Sequence, residues 1–495
     1  MSTVVKDVAP AFSRAAAVAR APLTRPAPAS ARWLRDDRYQ LLIGGMIWVL
    51  IVLMIVPEGF DYSALSTAGA PEVGGTVSRL LWLTLLGFGL VIILWRAGFS
   101  WLLSRYLNPF LLAFVVLAVA SVAWSMDPPV TARRLIRVLT IVFASTAFVL
   151  IGWHARRLQN VLRPIVTAAL LGSVLFGLGW PDLAIHPDTT GVLAGAWHGL
   201  ANHKNGLGDI ASVGLIFWFH AWLSKEARPL PALLGGGLAV ACLILSRSST
   251  SLVAGVFTLL FLAMLLRSPR GLRPYMPYLV ALFIAALLAY SLALLHIVPG
   301  SSALLSPIGA ITGKDMTFTG RTEIWDIMSE HIRLHPYLGT GYGAYWTGAT
   351  DGAASYEFIL RLHFYPGSAH NGYLEVLNDL GWLGLVVLMG YLASFVAQSL
   401  RLLKIDRNQA ALYLGLFLQQ AIANLAESRW FSPLSVDFVI MTLATTALAR
   451  SLLEHRLHHY LGEPRRRLHP AASATGAAPA SRPSLSRSHS DAGSH

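Results

Sequence analysis

Two short segments of this chain carry side chains suited to phosphate binding and to proton transfer. Gly320-Arg321-Thr322 opens a segment, roughly Arg321 to His335, in which apolar residues recur at helical spacing. A helix N-terminus exposes unpaired backbone N–H groups, and an arginine there adds a planar guanidinium that matches phosphate oxygens. The pattern predicts an anion site at Arg321, although a solvated arginine on a surface helix has the same spacing. The apolar positions of this segment are Ile324, Trp325, Met328 and Ile332, and Pro336 follows it.

The second segment, His370-Asn371, lies about fifty residues further on, where a polar interval re-enters apolar sequence. A neutral imidazole is a competent general base, so His370 is the candidate for proton transfer. Gly381 and Gly384 follow, and small residues let neighbouring helices approach closely. A single histidine at such a boundary is usually structural, but the presence of Arg321 in the same polar interval favours a catalytic role.

Aromatic residues crowd the interval between these two segments. Gly339-Thr340-Gly341-Tyr342-Gly343 permits tight turns, and Trp346 follows shortly after. Aromatic rings in a polar loop can stack on sugar faces, which makes Tyr342 and Trp346 candidates for substrate binding. An aromatic belt at the membrane interface is the alternative explanation.

Asn202-His203-Lys204-Asn205 opens another apolar run with hydrogen-bonding side chains. This composition suggests ligand contact by His203, Lys204 and Asn205, whereas simple capping of a helix needs only one of the asparagines. The nearby Asp182, His186 and Asp188 are weak evidence for a metal site. Because the outer segments hold no paired acidic motif of the kind that binds Mg²⁺, we predict no metal and no cofactor.

These candidates must be positioned by membrane helices. Apolar residues make up 55% of the 495 residues and charged residues only 13%, and runs long enough to cross a hydrocarbon core of about 30 Å recur throughout. The predicted fold class is therefore an all-α polytopic membrane protein. The net charge of +13 does not indicate nucleic-acid binding, because cytoplasmic loops of membrane proteins are rich in Lys and Arg. The single cysteine, Cys242, lies in an apolar run, which excludes a disulfide framework.

The apolar runs predict twelve transmembrane helices. Nine lie within residues 41–298 and three within 371–453, and a large outer loop, 299–370, carries the catalytic candidates. Lys and Arg accumulate in alternate loops, so both termini are predicted to be cytoplasmic, with disordered tails at 1–40 and 454–495. The predicted spans are 41–56, 80–95, 108–125, 135–153, 161–178, 206–223, 231–246, 250–267, 278–298, 371–400, 409–425 and 434–453.

Basic residues on the predicted outer side need another explanation, because topology disfavours them there. Several can snorkel to the interface from the end of a span. Arg247 is harder to explain in this way, since it lies in the tight polar turn Ser246-Arg247-Ser248 between two apolar runs. The outer basic residues are Arg79, Arg133, Arg134, Arg137, Lys204, Arg247, Lys314, Arg321, Arg333, Arg361 and Arg429.

Three of these segments together resemble the O-antigen ligase/polymerase family, most closely its ExoQ-type exopolysaccharide polymerases. They are Gly320-Arg321-Thr322-Glu323-Ile324-Trp325, His203-Lys204-Asn205, and His370-Asn371 with nine residues to Gly381 and two more to Gly384. The resemblance covers residues 110–445, is strongest over 200–390 and does not include the tails.

The resemblance implies a metal-independent, inverting glycosyltransferase with a GT-C-like fold in the bacterial inner membrane. Its donor would be an oligosaccharide on undecaprenyl diphosphate at the periplasmic face, and a flippase and a chain-length regulator would be its partners. By the resemblance, His370 activates or orients the acceptor hydroxyl and Arg321 acts in catalysis. By the resemblance, Arg321 and Arg247 also hold the diphosphate, and we add Arg137 and Lys204 as predicted diphosphate ligands. The predicted substrate ligands are His203, Asn205, Asn371, Tyr342 and Trp346.

The acceptor stays open at this point. A polymerase uses a second lipid-linked repeat unit, a ligase uses a lipid A core, and a protein O-oligosaccharyltransferase uses a protein. A polysaccharide or lipid transporter is the alternative from another class. Transporters tend to place ionisable groups at mid-membrane and to contain two matching halves, whereas the charges here cluster at the outer ends of spans.

Overall fold

A computed structural model describes residues 37–57, 62, 75–187, 193–294, 321–348 and 351–460. These residues form α-helices and short 3-10 turns without a β-sheet, apart from an isolated bridge between Ile185 and Trp197. The predicted all-α class is therefore confirmed. Several predicted features lie outside the described residues. They are the tails up to residue 36 and from residue 461, Asp188, the end of the ninth predicted span (295–298) and the first part of the predicted outer loop (299–320).

The helices follow the predicted apolar runs. A helix covers most of each of the twelve predicted ranges, and the predicted segment at Arg321 is also helical. The helices are α1 Asp37–Ile55, α2 Thr76–Trp95, α3 Ala97–Ser104, α4 Pro109–Ala120, α5 Pro128–Leu150, α6 Arg157–Gly179, α7 Pro181–Ala184, α8 Lys204–Leu223, α9 Pro229–Leu245, α10 Ser249–Arg267, α11 Met276–Leu294, α12 Arg321–Leu334, α13 Glu357–Leu362, α14 Gly372–Leu403, α15 Arg407–Ala423 and α16 Val436–Tyr460.

Six of the described helices are long and apolar enough to cross a membrane, namely α2, α6, α8, α10, α14 and α16. A seventh span results if α3 and α4, which are bent by 106° relative to each other, are one broken span. Helix α9 is apolar but only 17 residues long, and α5 carries Arg133, Arg134 and Arg137 in its first half. The chain is thus a multi-pass membrane protein, and the count of twelve spans stays a prediction.

Helix α15 lies at the centre of the bundle. Every residue from Gln409 to Ala421 is buried, as expected of a helix surrounded by other helices on all sides. Its polar Gln420 donates a hydrogen bond to Asp437 at the start of α16 (2.6 Å). Helices α15 and α16 therefore hold the loop between them, residues 424–435, against the interior of the protein.

Helix α14 is broken at Gly381, where the backbone adopts φ 63° and ψ −163°. A Cβ at this position would lie 2.3 Å from the carbonyl of Tyr337, so only glycine fits. The break frees the carbonyls of Asn378 and Asp379, which accept hydrogen bonds from the backbone of Thr340 and the residue after it (3.0 Å each). The close approach predicted at Gly381 is thus made to a loop. The break at Gly381 separates a short buried helix, residues 372–380, from the rest of α14.

Candidate functional site

The start of α14 is held by a cap and by a glycine that leaves no room for a side chain. Asn371 is fully buried, and its Oδ1 accepts hydrogen bonds from two backbone N–H groups of the first helical turn (3.0 and 3.1 Å). A Cβ at Gly372 would lie 1.9 Å from Oδ1 of Asn424. His370, just before the cap, has a left-handed φ of 47°. The imidazole is therefore anchored next to the loop that follows α15.

That loop is fixed by side-chain hydrogen bonds to its own backbone. Oδ1 of Asn424 accepts N–H bonds from residues 429–430 (2.9 and 2.7 Å). Ser428 Oγ accepts the backbone N–H of Asn371 (3.2 Å), which joins the loop to the start of α14. These bonds bring Glu427 against His370.

Glu427 is the common partner of three candidate residues from distant parts of the chain. Its Oε1 lies 3.0 Å from Nη2 of Arg321 at the start of α12 and accepts a hydrogen bond from Nδ2 of Asn205 (2.5 Å). Its Oε2 lies 3.6 Å from Nδ1 of His370. One carboxylate thus connects α8, α12 and the start of α14.

The charges around Glu427 determine its ionisation. Burial alone would raise the pKa of its carboxyl, but His370, Arg429 and Arg321 lower that pKa to about 2. Burial also lowers the pKa of Arg321, a shift that Glu427 opposes. Glu427 is consequently an anion at any physiological pH. Arg321 uses one amino group for this contact, while a guanidinium offers five N–H donors.

Arg429 forms the inner layer of this network. Its guanidinium lies 2.8 Å from Asp209 of α8, and 3.7 Å from both Glu427 and Asp437. Burial would lower the pKa of Arg429, but the three carboxylates raise it well above its ordinary value. Because its charge is matched within the protein, Arg429 serves to fix the loop and to balance the buried carboxylates.

His203 and Lys204 form the start of α8. The Nδ1 atom of His203 accepts the backbone N–H of Asn205 (3.3 Å), so His203 caps the helix and Asn205 contacts Glu427 instead. Burial lowers the pKa of His203 to about 4, against a smaller opposing effect of Glu427. The imidazole of His203 is therefore neutral at physiological pH and contributes no positive charge to the site.

Arg247 and Lys204 extend the cationic side of the site. Arg247 has a left-handed φ of 48° in its tight turn, and its Nη1 donates to the carbonyl of Ala194 (2.9 Å). Lys204 lies within electrostatic range of Arg247, Arg321 and Glu427. The structure thus brings three of the four predicted diphosphate ligands into one neighbourhood.

A cavity of about 470 Å³ opens beside His370 and Glu427, within the size range of small-molecule sites. Tyr342 and Trp346 are buried in its wall, and the hydroxyl of Tyr342 donates to the carbonyl of Phe431. The lining includes Arg134, His203, Tyr342, Trp346, His370 and Glu427.

Arg137 is not among the residues that line this cavity. Its guanidinium lies 5.7 Å from the ring centre of Trp82 on α2. Arg134, one turn earlier on α5, lines the cavity and donates from Nη2 to the carbonyl of Trp346 (3.1 Å). Sequence spacing alone did not show which of these arginines is turned toward the site.

Glu427, Glu375 and Asp379 are functional candidates that were not predicted from the sequence. For Glu427, the available signal was the dense charge in Glu427-Ser428-Arg429, between the last two apolar runs. For Glu375 and Asp379, it was their spacing of four residues at the start of an apolar run. Among the described residues, no group of three or more His, Cys, Asp and Glu side chains is placed to hold a metal ion.

Comparison with known proteins gives two matches. Residues 232–389 match the family model described as O-antigen ligase. The chain is also 32% identical, over 315 residues, to the exopolysaccharide production protein ExoQ of Rhizobium meliloti (strain 1021). That alignment covers 61% of this chain and 68% of the relative.

Proposed function

Because this chain belongs to the O-antigen ligase family, whose members are glycan-transferring membrane enzymes that use lipid-linked glycans, we propose that it polymerises polysaccharide repeat units. The donor is a glycan on undecaprenyl diphosphate, and the acceptor is a hydroxyl of a second lipid-linked repeat unit. The reaction takes place at the periplasmic face and needs no metal ion. The likeness to a protein named for exopolysaccharide production favours polymer synthesis.

One observation carries this proposal: a single buried carboxylate, Glu427, contacts both Arg321 (3.0 Å) and His370 (3.6 Å). A phosphate-binding cation and a candidate base are thereby held in one site, although they come from separate segments. Enzymes that transfer sugars from a diphosphate carrier need both functions, one for the leaving group and one for the attacking hydroxyl.

The proposed reaction is a single displacement at the anomeric carbon. The acceptor oxygen attacks C1 of the donor sugar, and its proton passes to the imidazole of His370. The bond between C1 and the diphosphate oxygen breaks, and its electron pair leaves with undecaprenyl diphosphate. Attack from the opposite face inverts the anomeric configuration.

The charged side chains have separate roles in this step. Glu427 orients the imidazole and stabilises the proton that it takes up, as a carboxylate does for a catalytic histidine. Arg321, with Lys204 and Arg247 nearby, stabilises the charge that develops on the leaving diphosphate. An arginine-based site of this kind replaces the divalent cation that many diphosphate-using enzymes require.

We keep the topology predicted from the basic residues, with twelve spans and both termini in the cytoplasm. Contacts at the two ends of the bundle are consistent with the alternation of sides that it requires. Segments assigned to the outer side supply Asn205, Arg321 and Glu427, which meet at the site. Segments assigned to the inner side meet elsewhere, where Glu226 lies 3.5 Å from Arg156. Inner-side Gln159 and Gln409 are likewise hydrogen-bonded to each other (2.8 Å).

A ligase that transfers finished glycan to a lipid A core is the second candidate, favoured by the description of the matching family model. Deletion of the gene separates the two functions. Loss of long polysaccharide with single repeat units remaining on the carrier supports polymerisation. Long polymer that accumulates on undecaprenyl diphosphate supports ligation, and unchanged surface glycans contradict both.

A further inference from the structure

The short helix between the cap at Asn371 and the break at Gly381 carries two carboxylates on the cavity wall. Glu375 and Asp379 are four residues apart, so they lie on the same face of this helix, and both line the cavity. Oδ2 of Asp379 accepts the backbone N–H of Gly343 (2.8 Å). Oδ1 of Asp379 is buried and has no hydrogen-bond partner, which is costly unless a ligand supplies a donor.

Glu375 adds further acceptor capacity to the same wall. Its Oε2 accepts the backbone N–H of Ala369 (2.8 Å) and the hydroxyl of Ser428 (2.9 Å). The side chain remains half-buried, and a carboxylate has about four acceptor positions in total. Arg134 lines the same part of the cavity, and its charge acts on both carboxylates. This end therefore combines several acceptors with one cationic donor.

The position of the carboxylates relative to His370 is set by the helix itself. With a rise of about 1.5 Å per residue, Asp379 lies about 12 Å along the axis from the cap at Asn371. That span is longer than one sugar ring. Glu375 is hydrogen-bonded to Ala369, the neighbour of His370, so a ligand that extends from His370 past Glu375 to Asp379 spans more than one sugar residue.

The chemical character of the lining distinguishes the two ends of the site. The carboxyl groups of Glu375 and Asp379 offer a diphosphate no positive charge, whereas their oxygens form hydrogen bonds with sugar hydroxyls. The cations suited to the diphosphate, Arg321, Lys204 and Arg247, are absent from the cavity lining. Building on the proposed function, we infer that the wall formed by Glu375, Asp379 and Arg134 is the subsite for the acceptor saccharide, on the side of His370 away from the leaving group.

If Asp379 only holds the turn at Gly343, its substitution should change the stability of the fold and leave sugar binding unchanged. Asp379→Asn keeps one oxygen for that N–H bond and replaces the unpaired oxygen with an amide NH₂ group, which cannot accept a hydrogen bond. Glu375→Gln likewise keeps an acceptor for Ala369 and Ser428. Each variant therefore weakens sugar binding more than it disturbs the fold. Asp351→Asn, at an exposed position away from the cavity, is the matched control.

The test uses purified protein in vesicles with lipid-linked oligosaccharide, extracted from a strain of the source organism that lacks this protein. Soluble oligosaccharide released from that lipid by mild acid is titrated as the acceptor. We expect Asp379→Asn and Glu375→Gln each to raise the KM for the soluble acceptor about tenfold. The saturating rate and the dependence on the lipid-linked donor stay near wild type, and Asp351→Asn matches wild type in every respect.

Two results overturn the subsite: a wild-type acceptor KM in the folded variants, or a lower saturating rate at an unchanged KM. If Asp379→Asn does not fold, Glu375→Gln decides the question. Equilibrium binding of radiolabelled soluble oligosaccharide separates this inference from the proposed function. Binding that depends on the carboxylates without any transfer by the wild-type protein supports the subsite and refutes the transferase. Transfer that is indifferent to the carboxylates refutes the subsite alone.

Discussion

Nη2 of Arg321 lies 3.0 Å from Oε1 of Glu427, although the two residues are 106 positions apart in the chain. The other oxygen of the same carboxylate lies 3.6 Å from Nδ1 of His370. The cation for the leaving group and the base for the attacking group are thus aligned by one anion. Displacement of any of the three changes the geometry of the other two.

Substitution Arg321→Lys tests the role of the guanidinium. A lysine keeps the positive charge but lacks the planar fork that can bind Glu427 and phosphate oxygens together. We expect the rate of polymer formation from lipid-linked oligosaccharide to fall about 100-fold or more at equal amounts of folded protein. Arg333→Lys, an exposed position on the same helix, should retain wild-type activity. A near-normal rate in Arg321→Lys would remove Arg321 from the mechanism.

Glu427→Gln tests the buried ion network through its pH dependence. The folded pKa of Glu427 is depressed from 4.5 to about 2, so its ionisation stabilises the fold above pH 4.5, and this contribution is lost as the pH falls toward 2. Thermal midpoints in detergent should therefore show wild type more stable than Glu427→Gln by a constant margin above pH 4.5. Below that pH the margin should shrink. A margin independent of pH down to the acid limit would show that the charge of Glu427 is not stabilising.

Gly381→Ala tests the break in α14. The backbone conformation at this position is essentially restricted to glycine, and the new Cβ would overlap the carbonyl of Tyr337. We expect a loss of about 3 kcal/mol or more in the free energy of unfolding, seen as a lower thermal midpoint and poor recovery of monodisperse protein. Gly237→Ala, in open space on α9, is the control and should be neutral or slightly stabilising. Equal behaviour of the two variants would contradict the break.

The helices could be predicted from the sequence because their signals are local. Apolar runs located the helices. The spacing of Ile324, Met328 and Ile332 predicted the amphipathic helix, whose buried residues include all three. The predicted span 371–400 also placed the start of α14 correctly, to within one residue. The close contact of Gly372 with Asn424 was not predictable, because it comes from a distant loop.

The arrangement of the site could not be predicted, because its contacts are long-range. Glu427 is 222 positions from Asn205, and no periodicity reports such a contact. The difference between Arg134 and Arg137 depends on how α5 is rotated about its axis: Arg134 faces the cavity and Arg137 faces Trp82 of α2. In both cases the contacting residues could be identified only from the fold.

Metal independence is tested with a chelator. The proposed mechanism balances the leaving diphosphate with Arg321, Lys204 and Arg247, so transfer should proceed at the full rate in excess EDTA. The measurement is polymer formation in vesicles with and without the chelator, followed by addition of Mg²⁺. Activity that is lost with EDTA and restored by Mg²⁺ would assign the diphosphate to a metal ion.

The central claim is that His370 accepts the proton of the acceptor hydroxyl while the arginine side of the site holds the donor. The most direct measurement compares wild type with His370→Ala for two quantities: binding of lipid-linked oligosaccharide and its transfer to an acceptor. We predict that the variant binds the donor with wild-type affinity and that its transfer rate falls by about 100-fold or more. Wild-type turnover in folded His370→Ala protein, or loss of donor binding together with transfer, would contradict the claim.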